Sequence, residues 1–161
     1  MAPKPGEMLH LRGNALNAGE PVTLPLTQSS MYHLPGVTDG LPTYGRVDNP
    51  TWEHLEHVLA HLEGAPCLTF PSGMGAISAA LFATLKAGSH LLIPSDGYYV
   101  TRVLADQFLS GLGVTVTERP TATFTEGGFD GFDVVFVESP SNPGLDMLDL
   151  PAIATVKKTP Y

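Results

Sequence analysis

The feature that most constrains this chain is an alternation. Short, nearly continuous apolar runs are separated by segments whose apolar residues recur at helical spacing. The runs are Cys67-Leu68-Thr69-Phe70, His90-Leu91-Leu92-Ile93-Pro94, Val114-Thr115-Val116-Thr117 and Asp133-Val134-Val135-Phe136-Val137. Between the first two, Ala76, Ile77, Ala80, Leu81 and Leu85 mark a helix with Gly88 as its stop, and a second helix is expected over 100–112. Strands that are apolar on both faces need cover on both, and strand–helix–strand units set neighbouring strands parallel. The sequence therefore predicts an α/β fold, a partial, mostly parallel sheet with flanking helices. Another helix is expected over 150–158, and the sequence ends where a next strand is expected, so the sheet reads as unfinished.

Upstream the pattern differs. Residues 1–43 carry scattered Pro and Gly with only short apolar stretches, and read as an extended arm without a core of its own. Asn49 then offers a helix cap and Pro50 suits the first helical position. Trp52, Leu55, Val58, Leu59 and Leu62 recur at helical spacing as far as Gly64. This predicts an amphipathic helix. At 161 residues, 43% hydrophobic and 15% charged, the chain has enough apolar material for one sizeable core.

Charge and cysteine usage narrow the function classes. A formal net charge of -8, with no basic cluster beyond Lys157-Lys158, argues against a nucleic-acid partner. The single cysteine, Cys67, has no internal disulfide partner and reads as a packing residue in a reducing compartment, with the cytoplasm as default. The start Met1-Ala2-Pro3-Lys4-Pro5-Gly6 has no apolar signal core. No run approaches the ~18 apolar residues of a membrane span.

In a sheet of this kind, ligands bind at loops on the carboxyl ends of the strands, where helix N-termini present free N–H groups to anions. Three loops qualify. Phe70-Pro71-Ser72-Gly73-Met74-Gly75-Ala76 would let backbone approach a phosphate as a helix begins. Ser95-Asp96-Gly97-Tyr98-Tyr99-Val100-Thr101 offers aromatic faces on which a planar ring can stack. Glu138-Ser139-Pro140-Ser141-Asn142-Pro143 holds the Asn142 amide rigidly between prolines, able to donate to a phenolate-like oxygen. Two rival readings of the first loop are testable by spacing. A serine-hydrolase elbow would need a glycine where Phe70 stands. A dinucleotide fingerprint is met by Gly73 and Gly75 but has Ser78 in the third place, with Asp96 about 20 residues on.

Taken together, the chain resembles the Cys/Met-metabolism family of pyridoxal-phosphate-dependent enzymes from about Pro21 to Leu150. The likeness rests on six segments in the right order: Pro25-Leu26-Thr27-Gln28-Ser29-Ser30, Tyr44-Gly45-Arg46-Val47-Asp48-Asn49-Pro50-Thr51, Leu62-Glu63-Gly64, Phe70-Pro71-Ser72-Gly73-Met74, Tyr98 to Thr101, and Glu138-Ser139-Pro140-Ser141-Asn142-Pro143. The resemblance implies pyridoxal 5'-phosphate as cofactor. It also implies that residues 44–161 form the first half of the large domain of a fold type I enzyme, with the 1–43 arm contacting a neighbouring subunit of a dimer or tetramer.

The resemblance also assigns roles. Ser72, Gly73 and Met74 would bind the cofactor phosphate, and Tyr44 and Arg46 would reach the phosphate of the neighbouring subunit's cofactor. Tyr98 would stack on the pyridine ring and help move the substrate's amine proton, and Asn142 would donate to the ring's phenolic oxygen. Two departures stand out. The arginine that meets a substrate's far carboxylate in eukaryotic γ-lyases falls on Val103, with Arg102 one place earlier, about 100° away on a helix. The family's cofactor lysine, its partner aspartate and further phosphate ligands are expected beyond residue 161, since Lys4, Lys86, Lys157 and Lys158 lie in other contexts. The implied reaction is γ-elimination of cystathionine to cysteine, 2-oxobutanoate and ammonia, as in bacterial γ-lyases. Cystathionine γ-synthase, homoserine-ester sulfhydrylase and methionine γ-lyase chemistry are the sister alternatives. Outside the family stand a dinucleotide-binding module on Gly73, Gly75 and Asp96, and a non-enzymatic interaction fragment using the bare sheet edge.

Overall fold

The computed structural model describes residues 16–36 and 39–156. They fall into two compact units, divided between Phe70 and Pro71. Residues 1–15 of the expected arm, and Lys157 and Lys158 at the end of the last expected helix, lie outside the described residues.

In the first unit, the described part of the arm carries turns and bends, with no helix or strand beyond an isolated antiparallel bridge, Met31 to Tyr44. Helix α1 (Pro50–Glu63) begins as expected. The Asn49 side chain accepts the Thr51 N–H at 2.8 Å, and its amide donates to the Thr27 carbonyl at 3.0 Å. The Thr51 hydroxyl in turn accepts the Thr27 N–H at 2.9 Å, so the helix start clasps the arm at one residue. The helix ends at Gly64, whose φ of 69° places it in the left-handed region that glycine tolerates. Its apolar stripe contains no fully buried residue, and Leu55 and Leu62 stay about half exposed. Cys67 is half-buried, its Sγ donating to the Ala65 carbonyl at 3.5 Å.

The second unit carries the sheet. Helix α2 (Gly73–Thr84) is followed by β1 (His90–Pro94), helix α3 (Tyr99–Leu104), β2 (Thr115–Arg119), β3 (Val134–Val135) and helix α4 (Leu150–Val156). β1 is the central strand of three, pairing in parallel with β2 (Leu92 opposite Thr117) and with β3 (Leu92 opposite Val135). Alternation along β1 divides the core. Leu91 and Ile93 point to one face, packing with Leu81, Ala105, Leu109 and Val114. Leu92 points to the other, packing with Phe124, Phe129 and Leu148. All three β1 leucine and isoleucine side chains are fully buried, each contributing about 1.5–3 kcal/mol. One face of this thin sheet is thus covered mainly by helical segments and the other by loops, a 3-10 turn and the last helix.

Several boundaries differ from expectation. The run Cys67-Leu68-Thr69-Phe70 is not a strand: it has no strand partner, Leu68 is 77% exposed, and the Thr69 N–H is taken by the Glu56 carboxylate at 2.7 Å. Helix α2 stops at Thr84, before Gly88, because Leu85 turns extended. The helix expected over 100–112 begins at Tyr99 and changes hydrogen-bond pitch, through a π turn at Ala105–Leu109 and a 3-10 turn at Ser110–Leu112. The last expected strand is short, although the Asp133 and Phe136 N–H groups extend its ladder to the His90 and Leu92 carbonyls at 2.9 and 2.8 Å.

A 3-10 turn at Thr121–Glu126 follows β2, and Arg119 braces it along its length. Arg119 donates from Nη2 to the Thr123 carbonyl at 2.7 Å and from Nη1 to the Gly127 and Gly128 carbonyls at 3.1 and 3.2 Å. Its guanidinium also lies 5.5 Å from the centroid of the buried Phe124 ring. Arg119→Ala should lower the unfolding free energy by about 2–3 kcal/mol, because it orphans carbonyls beside the core. Arg119→Lys should recover only part of this, since a single ammonium lacks the planar fork. Urea denaturation followed by circular dichroism measures both. A loss below about 0.5 kcal/mol for the alanine variant would show that the turn holds without its arginine.

Candidate functional site

The loops at the carboxyl ends of β1, β2 and β3 are laced together, and Asp96 is the knot. Its Oδ1 accepts the Thr121 N–H at 2.8 Å and the Thr121 hydroxyl at 2.7 Å, joining the loops after β1 and β2. Its main-chain carbonyl accepts the Asn142 N–H at 3.1 Å, joining the loop after β3. Burial pushes the Asp96 carboxyl up, but the Thr121 hydrogen bonds, its own backbone N–H and the charge of Arg102 outweigh it and leave the group below its ordinary value. Arg102 is half-buried, and its Nε has no hydrogen-bond partner among the described residues.

A second carboxylate acts beside the first. Glu138, just past β3, accepts the Tyr98 N–H through Oε2 at 2.8 Å. The intervening Gly97 is needed for space: a Cβ there would lie 2.9 Å from Glu138 Oε2 and 2.7 Å from Pro94 Cγ. Tyr98 itself is 37% exposed and meets Tyr99 edge-on, with ring centroids 5.4 Å apart. The Asn142 side chain is exposed, while the loop carrying it is pinned from within. The buried Ser141 hydroxyl accepts the Asp146 N–H at 2.9 Å, and the Ser139 hydroxyl accepts the Leu148 N–H at 3.0 Å.

The start of α2 joins this edge through Met74, whose Sδ receives the Thr101 hydroxyl at 4.0 Å. Ser72 caps the helix, its hydroxyl oxygen accepting the Gly75 N–H at 3.0 Å, which leaves its O–H free to donate to an anion. The amides of Gly73 and Met74, in the first turn, have no intrahelical acceptor. Nothing lies within 4 Å of where a Gly73 side chain would start, so this N-terminus is open to an incoming group.

Tyr44 and Arg46 belong to the first unit. They share one turn, with the Arg46 guanidinium 5.1 Å from the Tyr44 ring centroid. Gly45 between them is required by close approach, since a Cβ would lie 2.8 Å from the Ser29 carbonyl oxygen.

The sequence-predicted residues of the second unit, Ser72, Gly73, Met74, Tyr98 and Asn142, therefore stand on loops that hydrogen bonds tie to one sheet edge. Their chemistry fits pyridoxal phosphate: open helix amides for a phosphate, an exposed aromatic face for a ring, and an exposed amide for a ring oxygen. Asp96 and Glu138 were not singled out for this site. The sequence carries no signal for Glu138, because Asp96-Gly97 reads as an ordinary turn dipeptide and the close approach at Gly97 is visible only in the structure. Lys86, the one lysine among the described residues, is at the opposite edge: its N–H donates to the hydroxyl of Ser89, the residue before β1. Among the described residues no group of three or more His, Cys, Asp or Glu could hold a metal. No helix among them is long and apolar enough to cross a membrane.

Residues 7–160 match the family model of Cys/Met metabolism PLP-dependent enzymes. The chain belongs to that family. Pyridoxal 5'-phosphate is the family's cofactor. A Streptomyces coelicolor protein bearing the name cystathionine γ-lyase is 42% identical over 125 residues, 74% of this chain and 32% of that protein. L-methionine γ-lyase of Fusobacterium nucleatum is 38% identical over 120 residues, 72% of this chain and 30% of the relative. The crystal structure of metB from Corynebacterium glutamicum superposes with a TM-score of 0.75 at 31% identity, covering 84% of this chain and 37% of that one. The chain thus spans about a third of the length of the curated relatives it matches. Membership answers the dinucleotide alternative, and in the structure one Asp96 oxygen is engaged by both the N–H and the hydroxyl of Thr121.

The lowered titration point of the Asp96 carboxyl has a defined consequence for stability. A carboxyl whose folded value lies below its ordinary 3.8 stabilises the fold fully above 3.8, and that contribution is lost as pH falls through the lowered value. Asp96→Asn should therefore destabilise the protein at neutral pH and flatten the acid limb of its stability profile. Urea midpoints measured from neutral pH down to about pH 3 test this. Parallel profiles for the two proteins would contradict it.

Proposed function

We propose that this chain supplies the phosphate-binding and ring-stacking face of an enzyme that carries out γ-elimination of cystathionine, giving cysteine, 2-oxobutanoate and ammonia. The observation that carries the reading is the lacing of the Ser72, Tyr98 and Asn142 loops along one edge of a parallel sheet, in a chain of this family. When bound, pyridoxal phosphate supplies an electron sink for the substrate's carbanion, and the protein selects the leaving group.

The roles of the chain's own residues follow from their chemistry. The Gly73 and Met74 amides, with the Ser72 hydroxyl, hold the phosphate. The Tyr98 ring would cover one face of the pyridine, and its phenolic oxygen would help move the substrate's amine proton. The Asn142 amide donates to the ring oxygen and fixes the ring's rotation in its plane. Tyr44 and Arg46, stacked on one turn, reach the phosphate bound by a neighbouring copy, where the planar guanidinium engages two oxygens. The arm then contacts that copy, and the sites are shared. The exposed stripe of α1 and the exposed Val22, Leu26 and Met31 support assembly as a dimer or tetramer. A strictly monomeric active enzyme would contradict this arrangement. A single cysteine is consistent with work in the cytoplasm.

One observation favours a second reading within the family. The place expected for a far-carboxylate arginine is Val103, 38% exposed, and Arg102 stands one residue earlier on the helix. A substrate lacking a far carboxylate, such as methionine, suits that arrangement.

Full-length enzyme containing this chain should release 2-oxobutanoate from cystathionine faster than from methionine. Tyr98→Phe should lower kcat/KM by about 10²–10⁴-fold while cofactor affinity falls little. The 161-residue polypeptide assayed alongside should give no turnover, since its described lysine lies at the far edge of the sheet. Absence of 2-oxobutanoate from cystathionine would end the first reading. Faster release from methionine would establish the second.

A further inference from the structure

The Tyr98 ring and the Asn142 amide come from different loops, yet a planar ring held by both requires a fixed spacing between them. One side chain spans that gap. Glu138 leaves β3 four residues before Asn142 and reaches back to the loop after β1, where its Oε2 accepts the Tyr98 N–H at 2.8 Å. The approach is built in from both sides. Gly97, buried, lacks the Cβ that would collide with that oxygen at 2.9 Å, and Pro94 closes the other side at 2.7 Å. Tyr98, the residue before α3, makes no side-chain cap to that helix. Asp96 makes a parallel link, its carbonyl accepting the Asn142 N–H, but that link fixes the two main chains upstream of the tyrosine. Only the Glu138 bond acts at the tyrosine's own backbone among the described side chains.

We propose that Glu138 is a positioning residue: by holding the main chain of Tyr98 against the loop that bears Asn142, it sets the distance between the stacking ring and the amide donor. It touches neither cofactor nor substrate and acts through Tyr98. The proposal rests on the cofactor reading given above, and it makes Gly97 part of the same device. A charged acceptor on a backbone N–H is among the stronger hydrogen bonds available, which suits a link that must not slip.

The test is a double-mutant cycle on the full-length enzyme, read by titrating apoenzyme with pyridoxal phosphate and by kcat and KM separately. Glu138→Ala should weaken cofactor affinity by roughly tenfold or more, equivalent to about 1.4 kcal/mol. Glu138→Gln, which retains an acceptor oxygen, should stay within about threefold of wild type. Gly97→Ala should mimic Glu138→Ala. In a Tyr98→Ala background, Glu138→Ala should have almost no further effect, because the residue it positions is gone. Amide exchange at Tyr98 should quicken in Glu138→Ala while the β1 amides stay protected. Full additivity of the two substitutions, or wild-type affinity in Glu138→Ala, would overturn the positioning role. Wild-type affinity in Tyr98→Ala would instead overturn the cofactor reading on which it rests.

Discussion

Everything in the second unit depends on burying both faces of β1. Leu91 and Ile93 on one side and Leu92 on the other are fully covered, so the strand cannot slip by one residue without sending each group to the wrong layer. Once that register is fixed, parallel pairing sends β2 and β3 in the same direction, and all three strands deliver their exits to one edge. The site is therefore a consequence of the core. No single site residue makes it, and a chain with this core brings three loops together whatever those loops contain.

Loops brought together are not yet a rigid site, and the carboxylates supply the difference. Asp96 fastens the loop after β1 to Thr121 and to Asn142, and Glu138 fastens it to the exit of β3. Both are acidic groups placed against N–H donors, and at Asp96 the hydrogen bonds that hold the loops also hold the carboxyl below its ordinary value. The cost is that the Asp96 contribution to stability is lost in acid, and the gain is an edge on which an aromatic ring, an amide and open helix amides are held together.

Much of this was legible in the sequence. The uninterrupted His90-Leu91-Leu92-Ile93-Pro94 run could only be an inner strand, and Asn49-Pro50 and Ser72-Gly73 announced helix starts that the structure realises with side-chain caps. The misread segment is instructive. Cys67-Leu68-Thr69-Phe70 has a strand's composition, but a strand also needs a neighbour, and no local pattern reveals that Glu56 will take the Thr69 N–H instead. The change of pitch after Leu104 and the arginine-held turn after β2 were equally hidden, since both depend on packing against distant residues. Asp96 was read as a possible ribose ligand because its sequence position allows it. Only the contact with Thr121, 25 residues on, reveals that it braces the loops.

Family membership fixes the cofactor, and the described edge offers groups that fit its phosphate, its ring and its ring oxygen. Relatives that share this stretch carry the names of different reactions, as expected if it handles the cofactor while residues elsewhere select among substrates. The most direct measurement is a crystal structure of the full-length holoenzyme with pyridoxal phosphate. The phosphate should accept hydrogen bonds from the Gly73 and Met74 amides, with the ring against Tyr98 and Arg46 of a neighbouring copy at the same phosphate. A cofactor seated away from this sheet edge, with Tyr98 and the start of α2 facing solvent, would contradict the assignment.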